Sequence, residues 1–91
     1  MEELLKKDLN NICLIDIRDK FEYNISHIPT SINIPSNFLI TNPSDYLNKD
    51  KTYYLYCSSG IKSKNISNEL NYLGYNTINI LGGYNYYLLI K

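Results

Sequence analysis

The chain has 91 residues, 44% of them apolar and 20% charged, with nine basic side chains balanced by nine acidic ones. That length suits a single domain over 1–91, which buries roughly 60–70 % of its unfolded surface and folds without staples. Zero net charge without a basic run excludes a nucleic-acid or anionic-membrane surface, and two cysteines, Cys13 and Cys57, exclude a disulfide scaffold or a thiolate metal cluster.

Met1 to Asp8 carries no long apolar stretch, so it is not expected to be a secretory signal, and no segment is long enough to span a membrane. A reducing cytoplasm is the expected compartment, where a free thiol persists. Alanine, valine, glutamine and tryptophan are absent, while Asn, Ile, Lys and Tyr are abundant, a bias of AT-rich codons rather than of function. The ten tyrosines are expected to fill core and rim positions, where each buried hydroxyl needs a partner.

In chain order, residues 2–9 read as a short helix with Leu4, Leu5 and Leu9 inward. Ile12 to Ile17 is nearly continuous in apolar residues, as suits a parallel strand covered on both faces; Cys13 within it is expected to be inert core, with a resolving cysteine the alternative. Asp19 to Asn24 forms a helical turn, and Ser31 to Ile34 a short strand stopped by Pro35. The polar segment from Asn37 to Asp50 holds one or two short helices, with Pro43 to Asn48 a candidate. Thr52 to Tyr56 is β-branched and aromatic, a strand. A helix follows from about Gly60 to Leu73, with Ile66, Leu70 and Leu73 on one apolar face and Gly74 beyond its end. Thr77 to Ile80 is the last strand, Gly82-Gly83 a tight turn, and Tyr84 to Ile90 the final helix. Strands alternating with helices at this spacing predict βα units, a parallel sheet and helices on both faces.

Cys57 stands where the Thr52–Tyr56 strand ends, followed by Ser58, Ser59, Gly60, Ile61, Lys62 and Ser63 at the start of a helix. Reactive groups in open parallel sheets lie at the strands' carboxyl ends. A loop of small residues there aims several N–H groups and the positive end of a helix dipole into one space. A sulfur held in it titrates below the free-thiol value of about 8.5 and is nucleophilic near neutrality. The bland alternative is a small residue closing a strand before a tight turn. The serine hydroxyls either bond the sulfur or cap the helix, and capping is expected of at least one. Lys62 either closes the rim and attracts an anion or is a solvated lysine.

These features, taken together, resemble the rhodanese (sulfurtransferase) family over nearly the whole chain. Leu14-Ile15-Asp16-Ile17-Arg18 is similar to its early L-[IV]-D-[VT]-R motif. Glu22-Tyr23 and Ser26-His27-Ile28-Pro29 resemble its E-[YF]-x-x-G-H-I-P segment, with Ser26 and Thr30 where glycines are common. Ile32-Asn33-Ile34-Pro35 resembles its A-x-[NH]-[IL]-P strand, Cys57 to Ser63 its active loop C-x-x-G-x-[RK]-S, and Gly82-Gly83-Tyr84 its late G-G-[FYWM] motif. The resemblance implies a three-layer α/β fold and a cysteine that carries a sulfane sulfur as a persulfide. Loop amides then stabilise the outer sulfur's negative charge. The family's opening strand finds no room before the first helix, so about four parallel strands are expected, with Thr77–Ile80 at an edge or covered by a partner chain.

The implied activity moves a sulfane sulfur, through a Cys57 persulfide, from thiosulfate or a thiol persulfide to a thiol, cyanide or protein acceptor. Ser58 stands where the family often has an arginine, which demotes the thiosulfate dianion. Asp16, Arg18 and Glu22 are read as scaffolding near the site mouth, with Arg18 pairing Glu22 or Asp16. His27 is expected to be a hydrogen-bonded core or rim residue, since a low-pKa thiolate needs no base. Neither cofactor nor metal is called for, and a monomer or weak dimer is expected. A non-enzymatic partner-binding or redox-sensing module is the rival reading. A Cys-dependent phosphatase or arsenate reductase fits less well: it needs C-x5-R, whereas Lys62 lies five places after Cys57 and position 63 is serine.

Overall fold

Four strands form one parallel sheet in the computed structural model, which describes residues 12–91; the helix expected over 2–9 lies outside them. In chain order the elements are β1 (Cys13–Asp16), α1 (Lys20–Ile25), β2 (Ile32–Asn33), α2 (Ser36–Thr41), a 3-10 turn (Pro43–Asp45), β3 (Thr52–Tyr56), α3 (Ile61–Tyr72), β4 (Asn76–Asn79) and α4 (Gly83–Ile90). The strand order is β2-β1-β3-β4, so β4 lies at an edge as expected. β1 and β3 run in register from Cys13 opposite Tyr53 to Asp16 opposite Tyr56, and Thr52 to Leu55 lie opposite Asn76 to Asn79.

Alternation along the two central strands sends side chains to both faces. Leu14 and Tyr56 pack with Ile28, Ile80 and Tyr84 on one face. Ile15, Ile17, Tyr53 and Leu55 pack with Leu39, Leu70 and Tyr75 on the other. Leu39, Leu55 and Leu70 are wholly buried, each stabilising the fold by about 1.5–3 kcal/mol. The three-layer α/β arrangement expected from the sequence is the one observed.

Two expectations need correction. Cys13 is exposed rather than core: it is the first residue of β1, and burial begins at Leu14. About 13 Å of strand separates its level in the sheet from that of Cys57, too far for the two to form a disulfide. Of the α3 face expected inward, Leu70 is buried and Ile66 packs partly buried against the core, but Leu73 is exposed because the helix stops at Tyr72, and Ser63 and Ser67 are buried beside them. Serines fit this stripe because their hydroxyls are used: Ser67 Oγ lies 2.6 Å from Thr77 Oγ1 on β4. His27 takes the rim position of the two expected for it: it is exposed, stacks on Tyr23 and shares a 2.8 Å hydrogen bond with the Tyr23 carbonyl.

Candidate active site

The chain steps from β1 outward to β2, then crosses back to start β3 on β1's other side. The carboxyl ends of β1 and β3 therefore flank the point where the direction of winding reverses, the crevice in which open α/β sheets hold their ligands. Cys57 follows β3 there, and Ile17 and Arg18 follow β1.

Gly60, at φ +93°, turns the chain directly from the sulfur into α3. Its N–H points back to Cys57 Sγ at 3.2 Å, and the Ser63 N–H does so at 3.3 Å. The Ser63 amide is one of the orphan donors of the first helical turn, so the sulfur serves as the cap that no side chain at Gly60 could provide. Ser63 Oγ also lies 3.3 Å from the sulfur. Burial alone would raise the thiol, but the Ser63 hydroxyl and the amides of Ser63, Gly60 and Ser59 outweigh it, holding Cys57 below an ordinary thiol.

Of the other two serines, Ser59 supports the helix start, whereas Ser58 takes neither role expected of it. Ser59 Oγ accepts the Ile61 N–H at 3.3 Å, supporting the helix start. Ser58 Oγ donates to Glu22 Oε2 at 3.3 Å, linking the loop to α1.

The loop is held from behind by the turn into α4. Tyr84 N–H donates to the Cys57 carbonyl at 2.8 Å and Asn85 N–H to the Ser58 carbonyl at 2.9 Å. With these carbonyls drawn toward α4, the loop's amides are left to face the sulfur. Gly83, at φ +57°, makes the approach possible, because a Cβ there would collide with the Cys57 carbonyl oxygen.

Cys57 is only 5% exposed, yet it lines a cavity of ≈ 240 Å³. Arg18, Asp19 and Glu22 border it from the β1–α1 side, Ser36 and Asn37 from α2, Ser58 and Ser59 from the loop, and Lys62 from the start of α3. Asp16 is fully buried and grips Arg18, with Nη2 to Oδ2 at 2.8 Å and Nε 3.1 Å from both oxygens. Burial pulls the Arg18 guanidinium down, but Asp16 more than restores it and the group stays charged. Arg18 also donates to the Ser26 carbonyl at 2.7 Å, lies over the Tyr84 ring at 4.2 Å, and has Glu22 at 3.9 Å. It thus joins β1, α1 and α4 beneath the mouth.

Among the predicted site residues, Cys57, Ser58, Ser59, Lys62, Arg18 and Glu22 meet at the cavity. Gly60 and Ser63 stand behind the sulfur, and Asp16 behind Arg18. Ile61 departs from expectation: its side chain is 70% exposed, it does not line the cavity, and its amide bonds to Ser59. As the first residue of α3 it points outward.

Sequence reasoning missed two asparagines. Asn33 Nδ2 clamps the carbonyls of Asp16 and Arg18 at 2.9 and 3.0 Å. Asn79 receives the Ser63 hydroxyl at 2.5 Å and donates to the Gly60 carbonyl at 3.2 Å. Their strand-end positions were the available signal. Thr30, where glycine is common in the resembling family, sits at φ +72°, a left-handed conformation that glycine adopts without strain.

The Rhodanese-like domain family matches residues 1–89. The chain belongs to that family. This rhodanese-like domain is 37% identical over 71 residues to the adenylyltransferase and sulfurtransferase uba4 of Ogataea parapolymorpha, covering 77% of this chain and 18% of that protein. It is 32% identical over 83 residues to YtwF of Bacillus subtilis, named as a sulfurtransferase, covering 91% of this chain and 79% of the relative. A rhodanese-related protein from Thermoplasma volcanium superposes with a TM-score of 0.81 at 29% identity, over 93% of this chain and 84% of that one. The domain thus spans about a fifth of one relative and about four fifths of another. Among the described residues, no helix is long and apolar enough to cross a membrane.

Proposed function

We propose that this rhodanese-like domain is a sulfurtransferase in which Cys57 is the nucleophile. The thiolate attacks a sulfane sulfur, forming a new S–S bond as the donor's bond to that sulfur breaks and its remaining electron pair leaves with sulfite or a thiolate. A thiol, cyanide or a protein thiol then attacks the outer sulfur and releases the Cys57 thiolate. The observation that carries this reading is the set of amide and hydroxyl groups converging on one sulfur that borders a cavity. Such donors stabilise an anionic sulfur without reacting with it.

Ser58, Ser59 and Lys62 border the outer sulfur's position, and Asp16, Arg18 and Glu22 hold the mouth. Positive charge there is limited. Arg18 is matched by Asp16, and Lys62 shares the cavity with Glu22 and Asp19. A singly charged thiol persulfide is therefore favoured over the thiosulfate dianion. A reducing compartment such as the cytoplasm suits a free Cys57, and the reaction uses no cofactor. The test is intact-mass measurement after incubating reduced protein with thiosulfate or a thiol persulfide. One added sulfur on Cys57, removed by a thiol acceptor, is the expected result. No adduct from either donor would sink the proposal and leave the partner-binding reading.

A further inference from the structure

Ser63 has one hydroxyl hydrogen and two claimants for it. Its oxygen lies 3.3 Å from Cys57 Sγ and 2.5 Å from Asn79 Oδ1. The orientation of the Asn79 amide is settled by its other end, where Nδ2 donates to the Gly60 carbonyl at 3.2 Å. Turning the amide over would set two carbonyl oxygens face to face and lose that bond. Asn79 therefore presents an acceptor to Ser63.

When Cys57 is a thiol, one chain of donors satisfies every group: S–H to Ser63 Oγ, and Ser63 O–H to Asn79 Oδ1. When the thiol ionises, its proton leaves through the cavity and the sulfur becomes acceptor only. The Ser63 hydrogen must then swing from Asn79 to sulfur, and Asn79 Oδ1 is left facing a lone pair at short range. We propose that Asn79 is a positioning residue that competes with Cys57 for the Ser63 proton and so restrains ionisation of the nucleophile. The benefit is chemical. Nucleophilicity falls along with pKa, and a thiol exchanges sulfur fastest when its pKa lies near the ambient pH. Three main-chain amides and a freely donating hydroxyl would carry the sulfur past that optimum; Asn79 on β4 holds it back.

The charged groups facing the sulfur are Arg18, Asp19 and Glu22 across the cavity and Lys62 on α3. Asn79 acts from the opposite side, through Ser63, so its substitution leaves all four in place.

This inference rests on Cys57 being the reactive sulfur, but its test reads ionisation and not sulfur transfer, so the two can fail separately. The measurement is the pH dependence of Cys57 alkylation by iodoacetamide in the full chain. Asn79→Val, suited to an edge strand, removes the competing acceptor; the midpoint is expected to fall by about 0.7 pH unit, roughly fivefold more thiolate below it. Asn79→Leu carries the same expectation should the valine chain not fold. Asn79→Asp keeps an acceptor and strengthens it, so the midpoint should rise. In a Ser63→Ala background, Asn79→Val should produce no shift.

The alternative is that Asn79 only anchors the Gly60 carbonyl. Both valine and aspartate remove that donor, so the midpoint would then rise in both. A rise or no change with Asn79→Val, or a fall that persists without the Ser63 hydroxyl, overturns the proposal.

Discussion

Replacing Gly83 by alanine should damage stability and sulfur chemistry together, because one atom separates the start of α4 from the sulfur-binding loop. An added Cβ would collide with the Cys57 carbonyl oxygen and stand 2.8 Å from the Ser58 carbonyl oxygen and 2.9 Å from the Gly60 nitrogen. All three are main-chain atoms, so no side chain can swing aside. Three effects contribute. Alanine at φ +57° adds about 1 kcal/mol of backbone strain. Overpacking a tight contact adds about 1–3 kcal/mol. Loosening the Tyr84 and Asn85 hydrogen bonds to the loop carbonyls adds about 1 kcal/mol. The sum, about 3–5 kcal/mol, is a large share of a domain's usual 5–15 kcal/mol. For a chain this short it corresponds to a melting temperature lower by on the order of 15 °C or more. As the loop carbonyls shift, the amides behind them turn from the sulfur, and the midpoint of Cys57 alkylation should rise. Thermal melting followed by circular dichroism, with alkylation across pH, measures both effects. A Gly83→Ala protein that melts within about 2 °C of the parent, with an unmoved alkylation midpoint, would refute the clamp.

Four further outcomes are expected. Cys57 is held below an ordinary thiol, so its alkylation should be half-maximal at a lower pH than that of a free thiol measured alongside it, and decline as pH falls through the native value. Ser63→Ala should move that midpoint upward, since it removes a donor to the thiolate; a downward move would contradict the assignment. Asp16→Asn leaves the Arg18 guanidinium, whose side chain is 6% exposed, without its anionic partner, and should cost about 3–5 kcal/mol in urea unfolding. A midpoint equal to the parent's would count against that pair as a structural element. Lys62→Ala should slow sulfur loading from thiosulfate roughly three- to fivefold while affecting a singly charged persulfide less. Equal slowing with both donors would mean that Lys62 does not sense donor charge.

The strands and helices were readable from local pattern because each has a short-range cause. Alternation in Thr52–Tyr56, the small residues after Cys57, and the glycines at 60 and 82 each act within a few positions. The Cys57 cradle is local in the same way, since Gly60 and Ser63 are three and six residues from the sulfur they bond. On α3 the inward Ile66 and Leu70 were legible, but the inward Ser63 and Ser67 were not, because they look polar in sequence. Only contact with Thr77 for Ser67, and with Asn79 and Cys57 for Ser63, makes them suitable for burial.

By itself the sequence determined a parallel βα chain with a cysteine at the end of a buried strand and helix-start amides aimed at it. Tertiary structure alone decided what holds that cradle from outside. Crossover connections bring Glu22 to Ser58, Asn79 to Ser63, and the amides after Gly83 to the loop carbonyls. These partners lie sixteen to thirty-six residues apart. Their meeting depends on strand order, which residue type and spacing do not encode locally. Cys13 makes the same point in reverse: an apolar neighbourhood in sequence became an exposed thiol because it falls at the rim where β1 begins.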